Sequence, residues 1–250
     1  MFQDVVETVR REKFDVYVDF HGVFQSALFG AMCDIKTRLG RSHETAKDGA
    51  SLFYTDICQI NEKEINRMER HFTVINKLFP EIIPLTFSRT LGENIVIFPG
   101  SSKKGILKRW NVDYYVELVK KLNSHANVVI ALGIEEQDIK SVFENQTKCI
   151  VKVFSEWSQI DNEINNAKLV IGNDAAYVHF AVWKRIPTIE ICGPLSPTIN
   201  GVWRYGFGET IYNPLRCKCP NLWQGICNKD HECMDAISVE MVYKSAKKYL

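Results

Sequence analysis

The chain has 250 residues, enough for one large or two small domains, and its apolar (46%) and charged (24%) shares are those of an ordinary globular protein. A formal net charge of +1 gives no electrostatic case for nucleic acid or a strongly acidic partner. No apolar run approaches the roughly 20 residues needed to span a bilayer, and the opening MFQDVVETVRREKFD is too charged for a signal peptide. The sequence therefore reads as cytoplasmic, with room for transient contact at a membrane surface.

In chain order, an amphipathic helix is predicted over about residues 2–12, then a strand at 15–20, a helix at 21–32 and a short strand at 36–40. Residues 41–60 carry little periodicity and read as loop. Ile65, Met68, Phe72, Ile75 and Phe79 fall at helix spacing within 61–79, and Pro80 and Pro84 then break the chain, placing a domain boundary between about 80 and 92. From residue 94 strands and helices alternate: strands at 94–98, 127–132, 149–153, 168–172 and 187–192, helices at 111–124, 134–145, 157–166 and 175–184. An irregular Gly/Pro segment and a cysteine-rich stretch precede a last helix at 238–249. This pattern predicts an α/β protein with a mostly parallel sheet, whose ligands sit beyond the carboxyl ends of the strands.

Two such ends are chemically loaded. NIVIFPGSSKKGILKRW (94–110) runs from an apolar strand into a Gly/Ser turn with Ser101, Ser102 and the cations Lys103, Lys104, Lys108 and Arg109, ahead of a helix capped by Asn111. Free N–H groups and a helix dipole make this an anion seat; an ordinary loop with a solvated basic run is the plain alternative. In the second, GNDAAYVHFAVW, Asn173 or Asp174 can cap the following helix, and Ala175 and Ala176 let a ligand approach the backbone closely. His179 shares the same face, so Asp174 can accept from sugar hydroxyls and His179 can donate to phosphate. A capping aspartate beside a packed histidine is the alternative. Glu135 and Glu136, after the strand at 127–132, read as solvated helix-start residues more readily than as ribose ligands.

Other chemistries are disfavoured. Gly206 and Gly208 do not sit in a dinucleotide fingerprint, and Gly100 and Gly105 have P-loop spacing but are followed by Ile106 and Leu107. Cys33, Cys58, Cys149 and Cys192 are scattered, the last two in strand-like runs that suit buried small apolar residues. Cys217, Cys219, Cys227 and Cys233 crowd together in a spacing that matches no standard zinc pattern, leaving metal, free thiols or local disulfides open.

The ordered set Pro99-Gly100-Ser101-Ser102, Lys108-Arg109-Trp110, Tyr114 or Tyr115, Ala167 to Asp174, His179, Cys192-Gly193-Pro194 and Pro197 resembles glycosyltransferase family 9, the ADP-heptose:lipopolysaccharide heptosyltransferases and their relatives. DFHGVFQSALF and KTRLG look like that family's acceptor-domain segment. The resemblance implies a GT-B-like architecture of two Rossmann-type domains with the N-terminal one truncated: a partial acceptor-side α/β domain over 1–85, and a donor-binding domain over 92–250 that includes the cysteine-rich segment 217–233. It further implies metal-independent, cofactor-free transfer of heptose or a related sugar from a nucleotide diphosphate, ADP-heptose-like, to a lipopolysaccharide or surface-glycan acceptor, at a site peripheral to the inner membrane. Carried over residue by residue, Ser101, Ser102 and Lys108 grip the diphosphate, while Asp174, Ala175, Ala176 and His179 contact donor phosphate and sugar. The family's Asp-Thr-Gly is Asp174-Ala175-Ala176 here, which removes a hydroxyl and narrows the approach of the phosphate. The family's opening SSLGD-like segment, taken to bear the general base, has no counterpart in the 250 positions, so no catalytic residue is assigned. A half-enzyme completed by a partner chain, or a binding protein without chemistry, is the expectation beside the transferase. A module built on the terminal cysteines is the third.

Overall fold

The computed structural model describes residues 2–60, 64–80, 92–203, 206–214, 222, 225–227 and 230–250. The chain divides into two compact units, Met1–Pro84 and Leu85–Leu250.

The smaller unit contains α1 (Phe2–Glu12), β1 (Val16–Val18), α2 (Phe24–Met32), β2 (Thr37–Arg41), β3 (Asp56–Cys58) and α3 (Arg67–Leu78). The three strands form a parallel sheet in the order β1-β2-β3. Leu39, Cys58, Ile60 and Val74 pack on one another, while Val6, Cys33 and Ile35 make a second cluster. Two expectations change here. The stretch 41–60 holds β3 and a 3₁₀ turn (Ala50–Phe53), because three-residue DIC is too short to show alternation yet pairs with β2. The helix expected from residue 61 starts at Arg67, where the Asn66 side chain accepts the Met68 N–H at 3.0 Å; residues 61–63 lie outside the described residues.

The larger unit contains β4 (Asn94–Phe98), α4 (Val112–Leu122), β5 (Val128–Gly133), α5 (Lys140–Gln146), β6 (Ile150–Phe154), α6 (Trp157–Asn165), β7 (Ala167–Asn173), α7 (Ala176–Trp183), β8 (Thr188–Cys192), α8 (Pro197–Asn200), β9 (Gly208–Tyr212), α9 (Glu232–Asp235) and α10 (Val239–Ala246). Its sheet is parallel throughout, ordered β6-β5-β4-β7-β8-β9. Along β4 both alternating sets are buried: Ile95 and Ile97 join α4 and α10 on one face, and Val96 and Phe98 join residues of α6 and α7 on the other. That double burial explains why the strand reads as an unbroken apolar run. The chain leaves β4 through β5 and β6 on one side and returns to β7 on the other, so the order reverses between β4 and β7. A crevice at the carboxyl ends is the topological result.

Asn111 caps α4, accepting the Asp113 N–H at 2.9 Å, and Ser238 caps α10. The segment expected as a helix from 134 begins as a 3₁₀ turn (Ile134–Ile139), and the last helix likewise ends in one (Lys247–Tyr249). Strand β9 went unseen in the sequence: GETIY has no periodicity of its own and is strand only because β8 offers a free edge. Among the described residues no helix is long and apolar enough to cross a membrane.

Candidate functional site

The loop after β4 is held from inside. The Ser101 hydroxyl donates to the Gly105 carbonyl at 2.8 Å and accepts from Arg109 Nε, while Arg109 Nη2 donates to the Ser101 carbonyl at 2.6 Å. The backbone therefore folds into a 3₁₀ turn (Lys103–Lys108), with Ser101 buried and Ser102 exposed. A Cβ at Gly100 would lie 2.0 Å from Glu136 Oε1, so a larger residue there would displace the Glu136 carboxylate. Glu136, expected to be solvated, is instead 5% exposed, accepting the Gly133 N–H at 2.7 Å and facing Arg109 at 3.4 Å. Glu135 stays outside, paired with Lys103 at 2.9 Å.

Asn173 ties this loop to the one after β7. Its amide Nδ2 donates to the Pro99 carbonyl at 2.7 Å, and its Oδ1 accepts from the Trp110 N–H (2.9 Å) and the Tyr115 hydroxyl (3.0 Å). The side chain is fully buried and fully used. Neither Asn173 nor Asp174 caps α7, because both side chains turn inward; Ala175 occupies the cap position and supplies no side-chain bond. By helix geometry the Ala176 and Tyr177 N–H groups at the start of α7 have no intrahelical acceptor, and both residues line the cavity that opens there.

Asp174 is 4% exposed. His179 Nε2 lies 2.9 Å from its Oδ1, and Lys108 Nζ lies 2.5 Å from its carbonyl oxygen and 3.7 Å from Oδ2. The lysine thus bridges the two loops across 66 positions of sequence. Glu190, on β8, completes the cluster: one polar atom each from Asp174, His179 and Glu190 lies within 4.8 Å of the others, a set that can in principle hold a cation.

In front of the cluster opens a cavity of about 580 Å³, inside the roughly 300–1,000 Å³ range of small-ligand sites. Ser101, Ser102, Lys108, Ala175 and Ala176 line it, whereas Asp174 and His179 do not. Its lining also includes the rings of Phe154, Trp157 and Tyr177 and the acidic residues Glu135, Glu136 and Glu156. Trp157 stacks on Tyr177 (5.5 Å, 27°), which stacks on Phe98 (5.0 Å, 22°), so a 45% exposed indole is braced from below by two rings. Burial, then Glu136 and Glu135, raise the Tyr177 phenol above its ordinary value and keep it neutral. Trp157 and Tyr177 escaped the sequence reading, although an aromatic pair just past two strand ends was a visible signal. Glu190 was equally visible as the lone charge in the apolar strand PTIEIC.

Of the cysteines, Cys33, Cys58 and Cys192 are buried, whereas Cys149 is only half-buried, because β6 is an edge strand. Cys217 and Cys219 lie outside the described residues. Cys233 sits in the main core, and His231 Nε2 lies 2.7 Å from the Leu107 carbonyl, fastening the cysteine region to the loop after β4.

The chain is similar to the E. coli heptosyltransferase WaaC, solved with ADP: 19% identity, covering 100% of this chain and 77% of that one, TM-score 0.75. It is similar also to a family 9 glycosyl transferase from Veillonella parvula (17%, 100% and 78%, TM-score 0.76) and to E. coli ADP-heptose lps heptosyltransferase II (17%, 99% and 80%, TM-score 0.68). At these identities the likeness establishes the fold, which is GT-B-like, with two parallel α/β units. The family model of glycosyltransferase family 9 (heptosyltransferase) matches residues 85–207, the stretch that carries both loops and the cavity. Residues 85–207 thus form a domain that matches glycosyltransferase family 9. A sequence search of curated proteins finds no significant match.

Proposed function

We propose that the protein transfers heptose or a related sugar from a nucleotide diphosphate donor, ADP-heptose-like, to a lipopolysaccharide or surface-glycan acceptor. Residues 92–250 hold the donor and the 1–85 side receives the acceptor, in the cytoplasm and peripheral to the inner membrane. The observation that carries this reading is the cavity lined together by Ser102, Lys108, Ala175, Ala176, Trp157 and Tyr177. The first four suit a diphosphate, with a cation, a hydroxyl and helix-start N–H groups. The two aromatic residues suit a base, because flat rings stack without demanding a particular hydrogen-bond pattern. ADP in the structure of WaaC supports the same assignment.

In the reaction, negative charge grows on the departing β-phosphate as the glycosidic bond loosens. Lys108 and the α7 N–H groups are already aimed there, and preorganised donors of this kind lower the barrier without a metal. Asp174 anchors the lysine from behind. Calorimetric titration with ADP and ADP-heptose tests the reading, with binding by ADP the expected result; no binding by any nucleotide diphosphate rejects it.

A second reading, a nucleotide-sugar-binding protein or half-enzyme that relies on another chain for its base, is favoured by Asp19. Its Oδ1 accepts from the His21 and Gly22 N–H groups (2.8 and 3.0 Å), and its Oδ2 from Ser26 and Tyr54 hydroxyls (both 2.7 Å). Both of its oxygens are thus taken up within its own loop and by Tyr54. Binding without turnover in the presence of acceptor selects this second reading.

A further inference from the structure

Glu190 is a fully buried acid in the middle of a parallel sheet, between Gly172 of β7 and Thr210 of β9. The Thr210 hydroxyl accepts the Val202 N–H at 2.8 Å and donates to Glu190 Oε2 at 3.2 Å. Oε1 is buried with no hydrogen-bond partner among the described protein groups, although the residue clusters with Asp174 and His179. Among the described residues, Lys108 is a cation within reach of this cluster. Were both carboxyls ionised, two buried anions would lie side by side, an arrangement that low dielectric penalises heavily. Asp174 has first claim on the charge, since Lys108 and His179 both contact it.

We propose that Glu190 is a positioning residue, an uncharged acid whose Oε1–H is shared with Asp174 and so holds that carboxylate as the anion anchoring Lys108 and His179. The direction of titration agrees. Burial first, and then the charge of Asp174, push the Glu190 carboxyl well above the usual carboxylate range, and Thr210, Lys108 and the Val202 backbone only partly oppose them. The lysine that the diphosphate meets is thereby kept extended by a group that never touches the ligand. For its binding consequences the inference rests on the nucleotide diphosphate reading; for the state of Glu190 it does not.

The test has two arms. Infrared difference spectra of the wild type against Glu190→Gln at neutral pH need no nucleotide, and the expected result is a protonated carboxylic acid carbonyl band that the variant lacks. ADP titration from neutral to alkaline pH is the second arm. Glu190→Val, which keeps shape and removes the donor, is expected to weaken ADP about tenfold (~1.4 kcal/mol) without lowering thermal stability. Glu190→Gln, whose amide can still donate toward Asp174 and accept from Thr210, is expected to retain affinity and to lose the alkaline decline that the wild type shows as Glu190 ionises. Absence of the acid band overturns the proposal, and so does an affinity loss in Glu190→Gln equal to that in Glu190→Val. Stoichiometric Mn²⁺ or Zn²⁺ held by the wild type and lost in Glu190→Gln also overturns it, because Glu190 would then be an ionised ligand. If the wild type binds no ADP, the diphosphate reading fails while the infrared result still decides the state of Glu190.

Discussion

Asp19 and Asp174 occupy equivalent places in the two units, each just beyond the carboxyl end of a parallel strand, and each is almost completely buried (2% and 4% exposed). Their surroundings differ. Asp19 accepts from two backbone N–H groups and two hydroxyls of its own unit, which turns the loop after β1 into a closed knot. Asp174 instead contacts His179 and Lys108, and the lysine lines a cavity. A buried aspartate at a strand end is therefore not in itself a functional signal. What separates the two is whether the partners only close a loop or include a side chain that lines an opening.

The comparison can be broken by substitution. Asn173→Ala should have the largest effect, because it strands the Trp110 N–H and the Pro99 carbonyl at about 1–3 kcal/mol each; both the urea midpoint and ADP affinity are expected to fall. Asp19→Ala should cost about 2–4 kcal/mol of stability by orphaning several donors, with ADP affinity unchanged by calorimetry. An equal loss of affinity would show that the two aspartates are not opposites. Lys108→Ala should show the reverse pattern, weakening ADP by about 1.5–3 kcal/mol with a smaller change in melting temperature. If stability collapses while affinity holds, the lysine is a packing residue. Trp157→Ala should remove a stacking contribution of about 1–3 kcal/mol, at the lower end because the indole is half exposed, and should affect ADP and GDP alike.

The smallest effect is a pH dependence confined to the smaller unit. Burial first, and then Arg41, Arg67 and Arg70, lower the His71 imidazole below its ordinary 6.5. A base depressed in the folded state is neutral there while the unfolded chain takes up a proton, so its share of stability is complete above pH 6.5 and declines as pH falls below it. His71→Gln should flatten that decline in urea titrations, leaving ADP binding untouched.

The large unit was legible because its strands are long, apolar and spaced by helices of ten or so residues, which leaves few alternatives to a parallel sheet. Ser101, Ser102, Lys108, Asp174, Ala175, Ala176 and His179 became candidates because they lie in the segments after two strands and match motifs of the family the sequence resembles. What stayed hidden depended on partners distant in sequence. β3 and β9 are strands through their neighbours, Asn173 reads as a cap until Pro99 and Trp110 claim it, and Glu136 reads as solvated until Arg109 and Gly133 do. Glu190 carried its signal openly, but its meaning needed Asp174 and Thr210 beside it.

The reversal of strand order between β4 and β7 has one more consequence. Pro99 to Lys108 and Asp174 to Ala176 come from strands that are neighbours in the sheet, while Phe154 and Trp157 belong to the excursion through β5 and β6 that separates them in sequence. Replacing that excursion would change the aromatic lining of the cavity while the two loops of the neighbouring strands stay in place.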